Sequence, residues 1–155
     1  MPSSSFPKNA SDRWRTVKSQ TLTIESKTER LIAVREFVSS AARSFGFTDE
    51  DVSKIALAVD EACTNIIKHA YGFDPRGNIS VTVRGRNGSF EVAIRDTGRD
   101  FDPAGVAAPN MKEYLAHYRR GGLGMYLMRS LMDEVSYDIL PGKRNVVRLI
   151  KRLSR

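Results

Sequence analysis

Apolar residues alternate with polar ones in some stretches of the chain and recur every third or fourth position in others. The two rhythms divide it into strands and helices. Residues 14–25, with Val17, Leu22 and Ile24 set among threonines, read as a first strand. Residues 28–44 carry Leu31, Val34, Phe37, Val38 and Ala41 at helical spacing, and Gly46 stops that helix. Thr48 then caps a longer helix, with Asp49, Glu50 and Asp51 in the first turn, where the helix dipole favours acids. Its apolar positions run Val52, Ile55, Val59, Ala62, Cys63, Ile66 and Ala70, until Asp74-Pro75-Arg76-Gly77 breaks the chain.

Residues 78–84 and 90–95 both alternate and are joined at Asn87-Gly88, which predicts a hairpin. From 101 to 120 the pattern decays, with at most a short helix from Asn110. An irregular segment of that length inside a compact domain reads as a functional lid. Residues 124–132 form a third helix, and 135–140 with 145–153 a second hairpin around Pro141-Gly142. The expected fold is an α/β two-layer sandwich, with one mixed, mostly antiparallel sheet and helices on one face. Residues 1–13, rich in serine and proline, read as a disordered tail, leaving 14–155 as a single domain.

Composition changes this picture little. Hydrophobic content of 41% and charged content of 28% are those of a globular protein. The lone Cys63 falls on the apolar side of its helix, as a buried thiol in a reducing compartment does. No run approaches the roughly 18 apolar residues of a membrane span, and the polar start is not a signal peptide, so the expected location is cytoplasmic. The net charge of +7 sits at the ends: residues 143–155 contribute +6, residues 1–18 contribute +3 and the middle is −2. Without a basic stripe or a groove-entering element, nucleic acid is not an expected partner. A basic end can instead dock an acidic protein, or serve solubility alone.

Three short stretches carry candidate chemistry. At roughly 100° per residue, Glu61, Asn65 and Lys68 fall within about 60° of one another, opposite the stripe through Val59, Ile66 and Ala70. The solvated face of any amphipathic helix looks the same. Leu57 and Ala58, however, share that face, so something is expected to cover part of it. Asn65 is a poor helix former in mid-helix, better explained if its carbonyl oxygen is occupied. A magnesium ion takes one or two protein oxygens and fills its shell with phosphate and water. Glu61, one turn earlier, could accept a proton from an attacking hydroxyl, and Lys68 could neutralise phosphate charge. His69 is offset from the face and reads as a packing residue.

Asp96 closes a strand before Thr97-Gly98. It is either a turn aspartate or an acceptor for the exocyclic amine of adenine, with Gly98 letting the base approach the backbone. Gly121-Gly122-Leu123-Gly124 fits neither a dinucleotide fingerprint nor a P-loop. It does set backbone amides at a helix N-terminus, where phosphate binds, with Arg119 and Arg120 just before it. A helix-capping glycine would look similar.

In this order, Asp60-Glu-Ala-Cys-Thr-Asn-Ile-Ile-Lys-His-Ala-Tyr71, Asp96-Thr-Gly-Arg-Asp-Phe-Asp-Pro103 and Gly121-Gly-Leu-Gly-Met-Tyr-Leu-Met-Arg-Ser-Leu-Met-Asp-Glu-Val135 resemble the anti-sigma-factor serine kinases of bacteria, within the GHKL ATPase superfamily. The resemblance runs from about residue 28 to 153. It implies a Bergerat-type ATP site in which Asn65 holds Mg2+ and Glu61 activates a serine or threonine hydroxyl. Asp96 and Gly98 would read adenine, while Gly122 and Gly124 would close the lid on phosphate; Lys68, Arg120, Gly121 and Leu123 are further candidates for the nucleotide site. Where the family commonly has a threonine in the last strand near the adenine, this chain offers Asn145, whose amide can replace that hydrogen bond.

By the same resemblance the partners would be a sigma factor, held away from RNA polymerase, and a STAS-domain antagonist, phosphorylated by the kinase. The protein would be a homodimer. The alternative is a silent ATP-binding module that sequesters its partner without phosphoryl transfer.

Overall fold

In a computed structural model, which describes residues 15–98, 124–140 and 142–154, the two rhythms resolve into five strands and three α-helices. The expected tail over 1–13, the segment 101–120 and the residues Arg120, Gly121, Gly122 and Leu123 lie outside the described residues, as does Pro141.

Strand β1 (Val17–Glu25) is followed by a short turn of 3-10 helix and then by helix α1 (Leu31–Phe45). Gly46 ends α1 at φ 113°, a left-handed conformation that suits glycine. There the Phe47 N–H reaches back to the Ala42 carbonyl at 3.2 Å. Helix α2 (Asp49–Asn65) starts at Thr48, whose Oγ1 accepts from the Asp51 N–H at 3.2 Å.

Strands β2 (Asn78–Arg86) and β3 (Ser89–Asp96) form the hairpin at Asn87-Gly88, and both turn residues have positive φ, as a two-residue hairpin requires. Helix α3 (Gly124–Leu131), β4 (Glu134–Leu140) and β5 (Arg144–Arg152) follow. The sheet order is β1-β2-β3-β5-β4. Among the described residues every pairing is antiparallel, which replaces the expected mixed sheet with a uniform one. The last strand inserts between β3 and β4, so β5 lies beside the strand that carries Asp96.

One face of the sheet is buried against the helices. Ile79, Val81 and Val83 of β2, Phe90, Val92 and Ile94 of β3 and Leu149 of β5 meet Val34 and Val38 of α1, and Ile55, Val59 and Cys63 of α2. The alternate residues, such as Thr82, Ala93 and Arg95, lie on the other face, where Thr21 and Thr82 share a 2.8 Å hydroxyl bond across β1 and β2. Burial of Cys63 pushes its thiol up to about 12, so it stays protonated and unreactive at neutral pH.

Phe45, Phe47 and Phe90 cluster with ring centroids 5.6–5.7 Å apart. Gly85 makes room for them, because a Cβ there would lie 2.5 Å from the Phe45 ring. Gly85→Ala is therefore expected to destabilise the fold by about 1–3 kcal/mol through overpacking. Urea denaturation checks this, and an unchanged midpoint would contradict it.

The basic C-terminal run is largely built into β5. Arg148 pairs with Asp138 at 3.6 Å, Arg152 with Glu134, and Lys151 Nζ donates to the Leu131 carbonyl at 3.1 Å.

Candidate functional site

Asp96 is the last residue of β3, in register with Ile79 of β2 and Asn145 of β5. Only 4% of it is exposed. Its Oδ1 accepts from the Gly98 N–H at 2.9 Å and from Asn145 Nδ2 at 3.0 Å. Burial raises its pKa above the ordinary aspartate value, and the bonds from Asn145 and Gly98 oppose that rise without cancelling it. A carboxylate at the mouth of a sheet otherwise packed with Ile, Val and Leu costs folding free energy. It is the kind of acceptor a ligand donor can use.

Asn145 stands directly opposite Asp96 and donates to it. Gly98 has a structural reason of its own. A Cβ there would lie 2.6 Å from the Ala70 carbonyl oxygen and 2.9 Å from the Ala70 Cβ, so only glycine lets the corner press against the end of the long helix.

That helix is not continuous α-helix. The α-helical part stops at Asn65 and passes into a π-helical turn over Ile66–Ala70. The Tyr71 N–H reaches the Ile66 carbonyl at 3.0 Å, five residues back. Such wide turns inside helices are rare and occur frequently at functional sites. Glu61 and Asn65 keep the one-turn spacing expected of them. Lys68 and His69 fall in the wide turn, where a count of 100° per residue no longer holds, and both are exposed. Leu57 is 46% exposed while Ala58 is fully buried, so the expected cover over that face reaches Ala58 and not Leu57 among the described residues.

Glu61 is half-buried. Its pKa is raised first by that burial and then by the neighbouring Asp60 charge, and Lys68 lowers it in part. Asp60 itself is tied to Arg35 at 2.9 Å. A carboxylate held above its usual range is a stronger base once ionised, and better matched to proton transfer near neutral pH.

Tyr71, just past the wide turn, ends the first motif and has no role assigned to it from the sequence. Its hydroxyl donates to the Asn78 carbonyl at 2.7 Å, accepts from the Thr97 N–H at 2.9 Å and lies 3.3 Å from Thr97 Oγ1. The flanking glycines, Gly72 and Gly77, were the available signal. A Cβ on Gly77 would sit 2.4 Å from the Tyr71 ring.

Gly124 is the first residue of α3, which packs on α2. Among the described residues no three His, Cys, Asp or Glu side chains gather as a metal site. An amide oxygen such as that of Asn65 is chemically suited to a hard cation that draws its other ligands from phosphate and water. No described helix is long and apolar enough to cross a membrane.

Residues 24–151 match the histidine kinase-like ATPase domain family. The serine-protein kinase RsbW of Bacillus licheniformis is 34% identical over 121 residues, covering 76% of each chain. The serine-protein kinase RsbW of Bacillus subtilis is 33% identical over 118 residues, covering 72% of each. Two solved structures share the fold at a TM-score of 0.63. One holds the RsbU and RsbW domains of Rv1364c from Mycobacterium tuberculosis (18% identity, 90% of this chain and 33% of that one). The other is the SiaB-SiaC complex from Pseudomonas aeruginosa (12% identity, 93% of this chain and 94% of that one). With its buried strand-end aspartate, its Glu61–Asn65 helix and these relatives, the chain belongs to the histidine kinase-like ATPase domain family, among the GHKL ATPases that include anti-sigma-factor serine kinases.

Proposed function

We propose that the chain is an ATP-dependent protein serine/threonine kinase that sequesters a sigma factor and phosphorylates a STAS-domain antagonist of that sequestration. The observation that carries the proposal is the buried Asp96 carboxylate, held by Asn145 and Gly98 at the end of β3, beside a helix that bears Glu61 and Asn65.

Asp96 accepts a hydrogen bond from the exocyclic amine of adenine, and Asn145 and the Gly98 amide hold its carboxylate in place. Asn65 would hold the magnesium ion, which when bound neutralises charge on the phosphates. Lys68, Arg120 and the backbone at Gly121, Gly122, Leu123 and Gly124 serve the phosphates as well. Glu61 takes the proton of the substrate hydroxyl as its oxygen bonds to the γ-phosphorus. The bond between that phosphorus and the β-phosphate oxygen breaks, and ADP leaves with the electron pair. Positioning and charge supply most of the catalysis in such transfers. The active form is a homodimer.

The test is incubation with Mg·ATP and purified STAS-domain proteins from the same organism, read by intact mass. One phosphate gained on a serine or threonine is the expected result. A STAS protein that binds but stays unmodified overturns the kinase and leaves a silent sequestering module.

A further inference from the structure

The wide turn and the Asp96 corner are separate in sequence, yet one side chain joins them. We infer that Tyr71 is a positioning residue for nucleotide, tying the helix end that follows Asn65 to the strand end that carries Asp96. This rests on the reading of Asp96 as the adenine acceptor.

The geometry leaves the tyrosine little freedom. A phenol has one proton to donate and lone pairs to accept. This one spends its proton on the Asn78 carbonyl at the start of β2 and accepts the N–H of Thr97, the residue between Asp96 and Gly98. The ring lies over Gly77, too close for any Cβ there. One residue before Tyr71, Ala70 touches Gly98 so closely that only glycine fits. Two successive contacts, Ala70 on Gly98 and Tyr71 on Thr97, thus fix the corner against the helix.

The chain accepts an unfavourable conformation to keep this arrangement. Tyr71 sits at φ −104° and ψ −9°, and Gly72 and Phe73 then both take positive φ, 55° and 66°. Positive φ is a genuine outlier for a bulky residue such as phenylalanine. Phe73 is 60% exposed, so packing of its ring does not explain the conformation. Its N–H instead bonds to the Ile67 carbonyl at 2.8 Å, inside the wide turn. Strain of this sort persists where the surroundings over-determine it, and it clusters at ligand clamps. What it secures here is a constant spacing between the base end of the site at Asp96 and the phosphate end at Asn65.

Tyr71→Phe removes the hydroxyl and keeps the ring over Gly77. ATP affinity by calorimetry, together with KM and kcat for transfer to the STAS protein, is measured at a temperature where circular dichroism shows both forms folded. The expected result is about a tenfold weaker Kd and a similarly raised KM for ATP, kcat within about twofold, and faster hydrogen exchange at the Thr97 and Gly98 amides. A lowered Tm with Kd and KM unchanged makes Tyr71 a structural residue only and overturns the inference. Wild-type and Asp96→Asn proteins run in parallel separate the two readings. Wild type that binds ATP with Asp96→Asn that does not, beside an unaltered Tyr71→Phe, sinks the positioning role alone. Wild type that binds no ATP sinks both.

Discussion

Asp96→Asn is expected to lose ATP binding by roughly a hundredfold while the unliganded fold stays as stable as wild type, or becomes more so, at neutral pH. The two halves of this result have different causes. The asparagine Oδ1 can still accept from the Gly98 amide and Asn145 Nδ2, so the corner keeps its bonds. The second atom changes from an acceptor to a donor and meets the adenine amine donor to donor, and a hydrogen bond to a charged group is worth roughly 1.5–3 kcal/mol.

Stability moves the other way because burial raises the Asp96 pKa in the folded state. A carboxyl whose folded pKa lies above its unfolded value contributes stability that is fully present below the unfolded pKa. That contribution is lost as pH rises through the folded pKa. At pH 7 the ionised, buried side chain therefore weighs against folding, and the amide removes that cost. Urea denaturation should show the advantage of Asp96→Asn at pH 7 shrinking as pH falls through the raised folded pKa towards about 4, the ordinary aspartate pKa, and levelling off below it. Unchanged ATP affinity would remove Asp96 from adenine recognition, and a large loss of stability at neutral pH would show that its charge supports the fold.

Glu61→Gln separates binding from chemistry. The amide is nearly isosteric, so ATP affinity is expected to stay within about threefold, while the rate of phosphate transfer falls by about 10²–10⁴, the usual worth of a general base. The pH profile carries a second signature. Burial and the Asp60 charge hold the Glu61 pKa above the usual glutamate range. Wild-type transfer should therefore fall as pH drops through that raised pKa, as the base becomes protonated, and the small residual rate of Glu61→Gln should not follow it. A variant that retains the wild-type rate would exclude Glu61 from proton transfer.

Much of the fold is written locally. Gly46 and Thr48 mark one helix end and the next start through a left-handed cap and a hydroxyl cap, and Asn87-Gly88 announces its hairpin by needing two positive φ angles. Alternation along β2 and β3 gave the buried face, because each strand packs one side on the helices. The wide turn over Ile66–Ala70 was illegible because Ile66 and Ala70 continue the apolar stripe, and nothing in that stripe shows one residue too many in the turn. Lys68 falls inside that turn, yet its charge still reaches Glu61, the neighbour that simple wheel geometry gives it.

The candidate site was legible as residue types and not as an assembly. Asp96 reads as an ordinary turn aspartate until β5 is seen to insert between β3 and β4, which is a non-local choice of pairing that sets Asn145 beside it. Gly98 looked like room for a ligand, but its first requirement comes from Ala70, which is far from it in sequence. Tyr71 closes the first motif with no role legible in it, because its two partner residues, Asn78 and Thr97, belong to other segments.

The most direct measurement is a calorimetric titration of the wild-type chain with ATP and with GTP, each with and without magnesium. Adenine offers an amine donor where guanine carries the O6 acceptor, which would face the Asp96 carboxylate. The expected result is one magnesium-strengthened ATP site per chain, with GTP weaker by about a hundredfold or more. Equal affinity for the two nucleotides, or no binding of either, would contradict an adenine site built on Asp96.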